Sequence, residues 1–134
     1  MVLPSGLLYS GTEVSGLPVT LTADRFYGHI SPRHPEFAHC WPFQADRCAV
    51  CLMTCDDMFL CLDEALRSPI ELRRDKDFDD RDNYYGPQII SLATQGYRAG
   101  YLQVSVKFIN RIGTVVTAFS TNEISHRDRP WVNR

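Results

Sequence analysis

The sequence predicts an α+β fold in which helices pack on a four-stranded antiparallel sheet. Apolar residues recur at helical spacing between residues 55 and 67, after a capping-box-like start at Thr54 and before the helix-breaking pair Ser68-Pro69. Four further segments are typical of strands: 70–73, 88–93, 101–109 and 114–121. Because the connections between the later segments are short, we expect them to pair as an antiparallel meander.

A second, shorter helix is predicted to begin after Thr22, whose hydroxyl can cap it, and to be broken by Ser31-Pro32 and His34-Pro35. The residues before it favour an irregular hairpin or an extended arm. The length of 134 residues suits a single domain. Its expected parts are an arm (1–21), a helical part with a cysteine-rich connection (22–69), the sheet (70–121) and a tail (122–134).

Charge, hydrophobic pattern and cysteine number limit the ligands and the cellular location that we expect for this protein. The formal net charge of −2 is unfavourable for non-specific binding to nucleic acid, so a phosphate-binding site must be local. The N-terminus lacks the pattern of a signal peptide and no stretch approaches the length of a membrane span, so we expect a cytoplasmic protein with no membrane partner. The five cysteines are expected to be reduced thiols, because they cannot all pair within one chain.

Residues 24–37 concentrate side chains suited to phosphodiester chemistry. His29 and His34 lie here together with Arg25 and Arg33. Histidine changes protonation state near neutral pH, and arginine binds phosphate oxygens through its planar guanidinium. The stretch therefore indicates a site for proton transfer next to a phosphate.

Strands 101–109 and 114–121 are each predicted to have a helix-covered face and an open face, because successive strand residues point to opposite sides. On the covered face we expect Val116 and Ala118, next to the apolar even-numbered residues of the first strand. The side chains expected on the open face are Tyr101, Gln103, Ser105, Lys107, Val115, Thr117, Phe119 and Thr121. The open face would thus carry a row of polar side chains, formed by Gln103, Ser105, Lys107, Thr117 and Thr121.

Cleavage of RNA without metal requires a base for the 2′-hydroxyl, an acid for the 5′-oxygen, and cations or donors for the charge on phosphorus. The candidates are His29 or His34, Arg33, Lys107, Thr117 and Thr121. The alternative is structural: one histidine closes a helix and Lys107 is an ordinary exposed strand residue.

Four short motifs occur in a distinctive order. They are His29-Ile30 followed by Arg33-His34-Pro35-Glu36, a helix ending before Pro69, Val104-Ser105-Val106-Lys107, and Val115-Val116-Thr117-Ala118-Phe119-Ser120-Thr121. Over about residues 20–125 the chain resembles the small nuclease toxins related to barnase, EndoU, colicins and RelE, called the BECR fold, and particularly their phage-associated branch. The resemblance implies N-terminal helices on a four-stranded antiparallel sheet and a metal-independent ribonuclease without a cofactor.

The resemblance also implies the roles of particular residues and partners. Active-site positions would be His29, Arg33 or His34, Lys107, Thr117 and Thr121. Further contacts to the RNA substrate are expected from Gln103, Ser105, Ser120, His126 and Arg127. A toxin of this kind is expected to have an immunity protein or antitoxin as partner, whereas the alternative is a catalytically inactive module that binds protein or RNA on the same scaffold.

Three other segments allow two interpretations each. The cysteine-rich connection offers His39, Cys40, Cys48 and Cys51 as zinc ligands, or its cysteines are buried packing residues. The acidic segment 75–83 is interpreted as a solvated loop, with a metal-binding cluster as the alternative. The tail residues 126–129 are either solvated or hold an RNA phosphate.

Overall fold

The structure is a computed structural model and describes residues 6–33, 55–87, 101–121 and 123–134. Within these ranges the chain is α+β, with helical segments on one face of a mixed seven-stranded sheet. The strands are β1 (Leu7–Thr12), β2 (Pro18–Thr22), β3 (Glu71–Arg74), β4 (Arg81–Pro87), β5 (Tyr101–Ile109), β6 (Ile112–Thr121) and β7 (Arg129–Pro130). Among the described helices, none combines the length and apolar character required to cross a membrane.

The sheet is larger than the predicted four antiparallel strands. Its order is β1-β2-β6-β5-β4-β3-β7, and β2 pairs with β6 in parallel whereas the other neighbours are antiparallel. The N-terminal segment forms the β1–β2 hairpin and extends one side of the sheet, and the tail adds β7 on the other side. The N-terminal segment thus adopts the hairpin that was predicted as one of its two alternatives. The sheet is larger than predicted because this hairpin and the tail both supply backbone hydrogen bonds to sheet edges.

Three of the four predicted strands are confirmed, and the fourth cannot be compared. Strands β3, β5 and β6 correspond to the predicted 70–73, 101–109 and 114–121 within two residues. The predicted strand 88–93 lies outside the described residues. The interpretation of 75–83 as a solvated loop is wrong at its end, because β4 begins at Arg81 and its next four residues are all buried.

The helical elements are α1 (Ala23–Arg25), a π-helical turn (Phe26–Ile30), α2 (Ser31–Arg33) and α3 (Cys55–Arg67). The predicted cap is confirmed, since Thr22 Oγ1 accepts a hydrogen bond of 3.2 Å from the Arg25 amide. The predicted break at Ser31-Pro32 is wrong, because α2 continues to Arg33, and the predicted break at His34-Pro35 lies outside the described residues. Proline is tolerated in the first turn of a helical segment, where its missing N–H is not required.

The hydrophobic core lies between the sheet and these helices. Phe26 and Ile30 of the π-helical turn and Leu62 and Leu66 of α3 are fully buried against it. Helix α3 approaches β4 so closely that a Cβ atom on Gly86 would lie 2.6 Å from the Ala65 Cβ. Glycine is therefore required at this position by the close helix–sheet packing.

A β-bulge in β6 corrects one predicted face. Ser105 pairs with Thr117 but the next residue, Val106, pairs with Val115, so Val116 is an extra residue in the ladder. Val115 is fully buried in the core, so its predicted place on the open face is wrong. An extra residue reverses the alternation of side chains, which no pattern of apolar residues in this strand indicates.

Asp82 is a buried carboxylate on the core side of β4. It is 1% exposed and accepts hydrogen bonds from Arg74 Nε at 2.6 Å, Arg134 Nε at 3.0 Å and Trp131 Nε1 at 3.2 Å. These partners come from β3 and from the C-terminal residues after β7. Asp82 therefore ties the end of the chain to the sheet.

The Asp82→Ala variant is expected to lose about 3 kcal/mol in the free energy of unfolding, because the two buried arginine contacts would be left without their carboxylate. Urea denaturation followed by circular dichroism would measure the loss. The control is Asp79→Ala, since Asp79 is 88% exposed and its ion pair with Arg129 lies on the surface. Equal stability of the two variants would contradict the anchoring role of Asp82.

Candidate functional site

A cationic cluster is formed by Arg25, His29 and Arg33 in the helical segment after β2. Arg25 Nε donates a hydrogen bond of 2.6 Å to the carbonyl oxygen of Val116. Val116 is the bulged residue of β6, and a bulge leaves backbone groups outside the regular ladder. The bulge thus supplies the acceptor that fixes this guanidinium against the sheet.

Burial and the charges of the cationic cluster both disfavour the protonated form of His29. Partial burial, and then the positive charges of Arg25 and Arg33, lower the pKa of His29 below its ordinary value. The imidazole is therefore neutral at pH 7 and can accept a proton. His29 also lies in the π-helical turn, a rare conformation that is frequent at functional sites.

Two further cations, Arg81 of β4 and Lys107 of β5, lie beyond the cationic cluster. Burial, and then the charges of Arg81 and Arg33, lower the pKa of Arg25. Arg81 and Lys107 are directly opposite each other on β4 and β5, so their side chains share one face of the sheet. The Lys107 amino group lies 4.0 Å from the Asp80 carboxylate, and both side chains are partly exposed. An exposed pair at this distance leaves Lys107 accessible to an anionic ligand.

A polar pocket of about 430 Å³ opens further along the same face of the sheet. Residues of β4, β5 and β6 and of segment 123–128 line it, including Gln103, Phe119, Thr121, His126, Arg127 and Asp128. Gln103 and Lys107 are both odd-numbered residues of β5, which has no bulge of its own, and therefore point to the same side.

Buried hydrogen bonds build one wall of the polar pocket. Asp128 Oδ2 accepts from the Tyr85 hydroxyl at 2.6 Å and from Asn83 Nδ2 at 3.0 Å. Ser105 Oγ donates to Asn83 Oδ1 at 2.7 Å. Burial, and then the hydrogen bond to Asp128, raise the pKa of Tyr85, so its hydroxyl stays a donor at neutral pH. The wall is consequently rigid.

The predicted site residues fall into three groups. His29 and Arg33 belong to the cationic cluster, and Lys107 lies opposite Arg81. Thr117 lies opposite Ser105, which is 5% exposed and held in the buried network. The residues brought together at the polar pocket are Gln103, Thr121, His126 and Arg127.

The remaining predicted site residues lie outside the part of the chain that the structure describes. They are His34, His39, Cys40, Cys48 and Cys51, together with the side chain of Ser120. Across the described ranges, no group of three or more His, Cys, Asp or Glu side chains is arranged to hold a metal ion. The acidic segment 75–83 therefore does not form the alternative metal cluster.

Several residues of the candidate site had no specific role predicted from sequence, although Arg25 was grouped with Arg33 and the histidines in stretch 24–37. Arg25 precedes His29 by four residues, a spacing that places two side chains on the same side of a helix and could have identified it. Arg81 and Asn83 belong to a segment interpreted as a loop. Asp128 comes from the tail and meets β4 only through tertiary structure.

Comparisons of the chain with protein-family models, with curated proteins and with solved structures found no match.

Replacing Arg33 by Gln is expected to raise the pKa of His29, because it removes one of the positive charges that disfavour the imidazolium. An NMR titration of the His29 ring protons would measure the change. Arg67→Gln is the matched control, because it also removes one positive charge, at the end of α3. The neighbouring Leu66 carbonyl accepts a hydrogen bond from the Val14 amide in the turn of the β1–β2 hairpin, whereas the cationic cluster follows the other end of β2. An unchanged pKa of His29 in Arg33→Gln would refute the electrostatic coupling.

Proposed function

We propose that the protein is a metal-independent ribonuclease of the toxin type that cleaves RNA by attack of the 2′-hydroxyl. The observation that carries the proposal is the placement of His29 in one helical segment with Arg25 and Arg33, where burial, and then the two arginine charges, lower its pKa. A neutral imidazole beside guanidinium groups combines a proton acceptor with charges that bind a phosphate. Both are needed at the same phosphodiester.

In the proposed reaction, His29 removes the proton from the 2′-hydroxyl and the 2′-oxygen attacks phosphorus. The bond between phosphorus and the 5′-oxygen breaks, and an acid gives the leaving oxygen a proton. The products are a 2′,3′-cyclic phosphate and a 5′-hydroxyl. A lowered pKa favours His29 as the base, and we assign the acid to His34, the other histidine of stretch 24–37.

Charge stabilisation is assigned to Arg25, Arg33 and Lys107. The negative charge on the phosphoryl oxygens grows as the 2′-oxygen attacks, and fixed cations stabilise that charge without reorganisation. Arg25 is held by its hydrogen bond to Val116, which favours such a preorganised role. Thr117, on the same face as Lys107, would supply a hydroxyl donor, whereas the Thr121 hydroxyl donates to the Glu123 carbonyl oxygen at 3.1 Å and lies at the polar pocket.

The proposal is also supported by the sequence resemblance to the phage-associated BECR toxins. Strands β3 to β6 are consecutive neighbours with antiparallel pairing, an arrangement compatible with that fold. A toxin of this type acts on RNA in the cytoplasm and is held inactive by an immunity protein or antitoxin, and we propose both for this chain.

The second candidate is a catalytically inactive binding module on the same scaffold. The pairing of Lys107 with Asp80 favours it, because a carboxylate next to the lysine weakens its attraction for a phosphate. The two candidates differ in one simple respect. Only the ribonuclease converts RNA to shorter fragments.

RNA cleavage in the presence of EDTA is expected for the wild-type protein, with a loss of about 10²–10⁴-fold in rate for His29→Ala. Lys107→Ala should lose a comparable factor through missing charge stabilisation, whereas Arg67→Gln should cleave normally. Below the lowered pKa of His29 the rate should fall, because the protonated imidazole cannot act as a base. Near-wild-type cleavage by His29→Ala would exclude His29 as the base, and no cleavage by wild-type protein would favour the binding module.

A further inference from the structure

We propose that the polar pocket binds one nucleobase of the RNA and selects bases that carry an exocyclic amino group. The inference rests on the proposed function, because it takes RNA as the ligand. It adds a site of base recognition, which is separate from the cationic cluster.

The size and charge of the polar pocket suit a base better than a phosphate. Its volume of about 430 Å³ lies within the range of small-molecule sites. Three carboxylates, Asp75, Glu123 and Asp128, line it against the two cations Lys76 and Arg127. A phosphate would be repelled by this excess of negative charge, whereas an uncharged base with N–H donors would be attracted.

Asp128 supplies the acceptor for such a donor. The residue is 8% exposed, and both of its buried hydrogen bonds end on Oδ2. Within the described part of the chain, no residue donates to Oδ1. Oδ1 therefore keeps acceptor capacity for a ligand, and a hydrogen bond to an ionised carboxylate is stronger than one between neutral groups. Carboxylates accept from the amino group of cytosine, and adenine and guanine also carry amino groups. Uracil offers only its N3–H, which lies between two carbonyl oxygens that a carboxylate repels.

Two further side chains complete the recognition of a base. The Phe119 ring is partly exposed in the pocket wall, and aromatic rings stack on nucleobases of any sequence. Gln103 presents an amide that both donates and accepts hydrogen bonds. Stacking would therefore provide affinity, and the polar groups would provide selection.

The polar pocket and the cationic residues lie within reach of one short RNA strand. Gln103 and Lys107 are four residues apart on the same face of β5, a separation of about 13 Å. A base in the polar pocket would therefore leave a nearby phosphate of the same strand at Lys107 and Arg81. The open face of the sheet would thus bind one RNA strand at two points, a base in the polar pocket and a phosphate at Lys107 and Arg81.

Binding of four 2′-O-methylated pentanucleotides, UUNUU with N as A, C, G or U, tests the inference by calorimetry without cleavage. The wild-type protein is expected to bind the strands with A, C or G at least about tenfold more tightly than the strand with U. Asp128→Asn should remove this preference. Phe119→Ala should weaken binding of all four strands by about tenfold or more. Arg67→Gln should bind as the wild type.

Gln103→Ala keeps the test decisive where Asp128→Asn fails to fold, because Gln103 lies in the pocket wall and its removal should reduce the preference. Equal affinity for the four strands, or binding unchanged by both Phe119→Ala and Gln103→Ala, would overturn the inference. The outcome is separable from the proposed function. A base preference without cleavage leaves the pocket standing and rejects the ribonuclease, whereas cleavage without a base preference rejects the pocket alone.

Discussion

The polar side chains of β4 impose the constraint on which the rest of the structure depends. Asp82, Asn83, Tyr84 and Tyr85 are consecutive and all 2% exposed or less. A buried polar group is costly unless it is hydrogen-bonded, so each must find a partner elsewhere in the chain. Tyr84 bonds to Glu13 of the N-terminal hairpin, whereas the others reach β3, β5 and the C-terminal segment. The hydrogen bonds that these four buried side chains require thereby join elements that are distant in sequence.

The same strand also connects the two parts of the candidate site. Arg81 is opposite Lys107, and its charge acts on Arg25 of the cationic cluster. Two and four residues later, Asn83 and Tyr85 support the Asp128 carboxylate at the polar pocket. Their shared face follows from the two-residue period of a strand. Rigid support under a binding site keeps its polar groups at fixed positions, which favours both phosphate binding and selection of a base.

The sequence predicted the elements that have a clear local signal. The cap at Thr22, helix α3 and the alternation of β5 all follow from propensity and periodicity. The start of β4 could not be recognised, because its burial depends on partners such as Asp128 instead of on apolar residues. The grouping of His29 with Arg33 follows from their proximity in sequence, whereas the polar pocket depends on the path of the tail.

The most direct test of the proposed chemistry is to identify the ends of RNA fragments produced in EDTA. Mass spectrometry of a defined oligoribonucleotide after incubation with the protein would distinguish the products. Attack by the 2′-oxygen predicts fragments with a 2′,3′-cyclic phosphate at one end and a 5′-hydroxyl at the other, produced by wild-type protein and nearly absent with His29→Ala. Fragments ending in a 3′-hydroxyl and a 5′-phosphate, or an intact oligonucleotide, would contradict the proposed reaction.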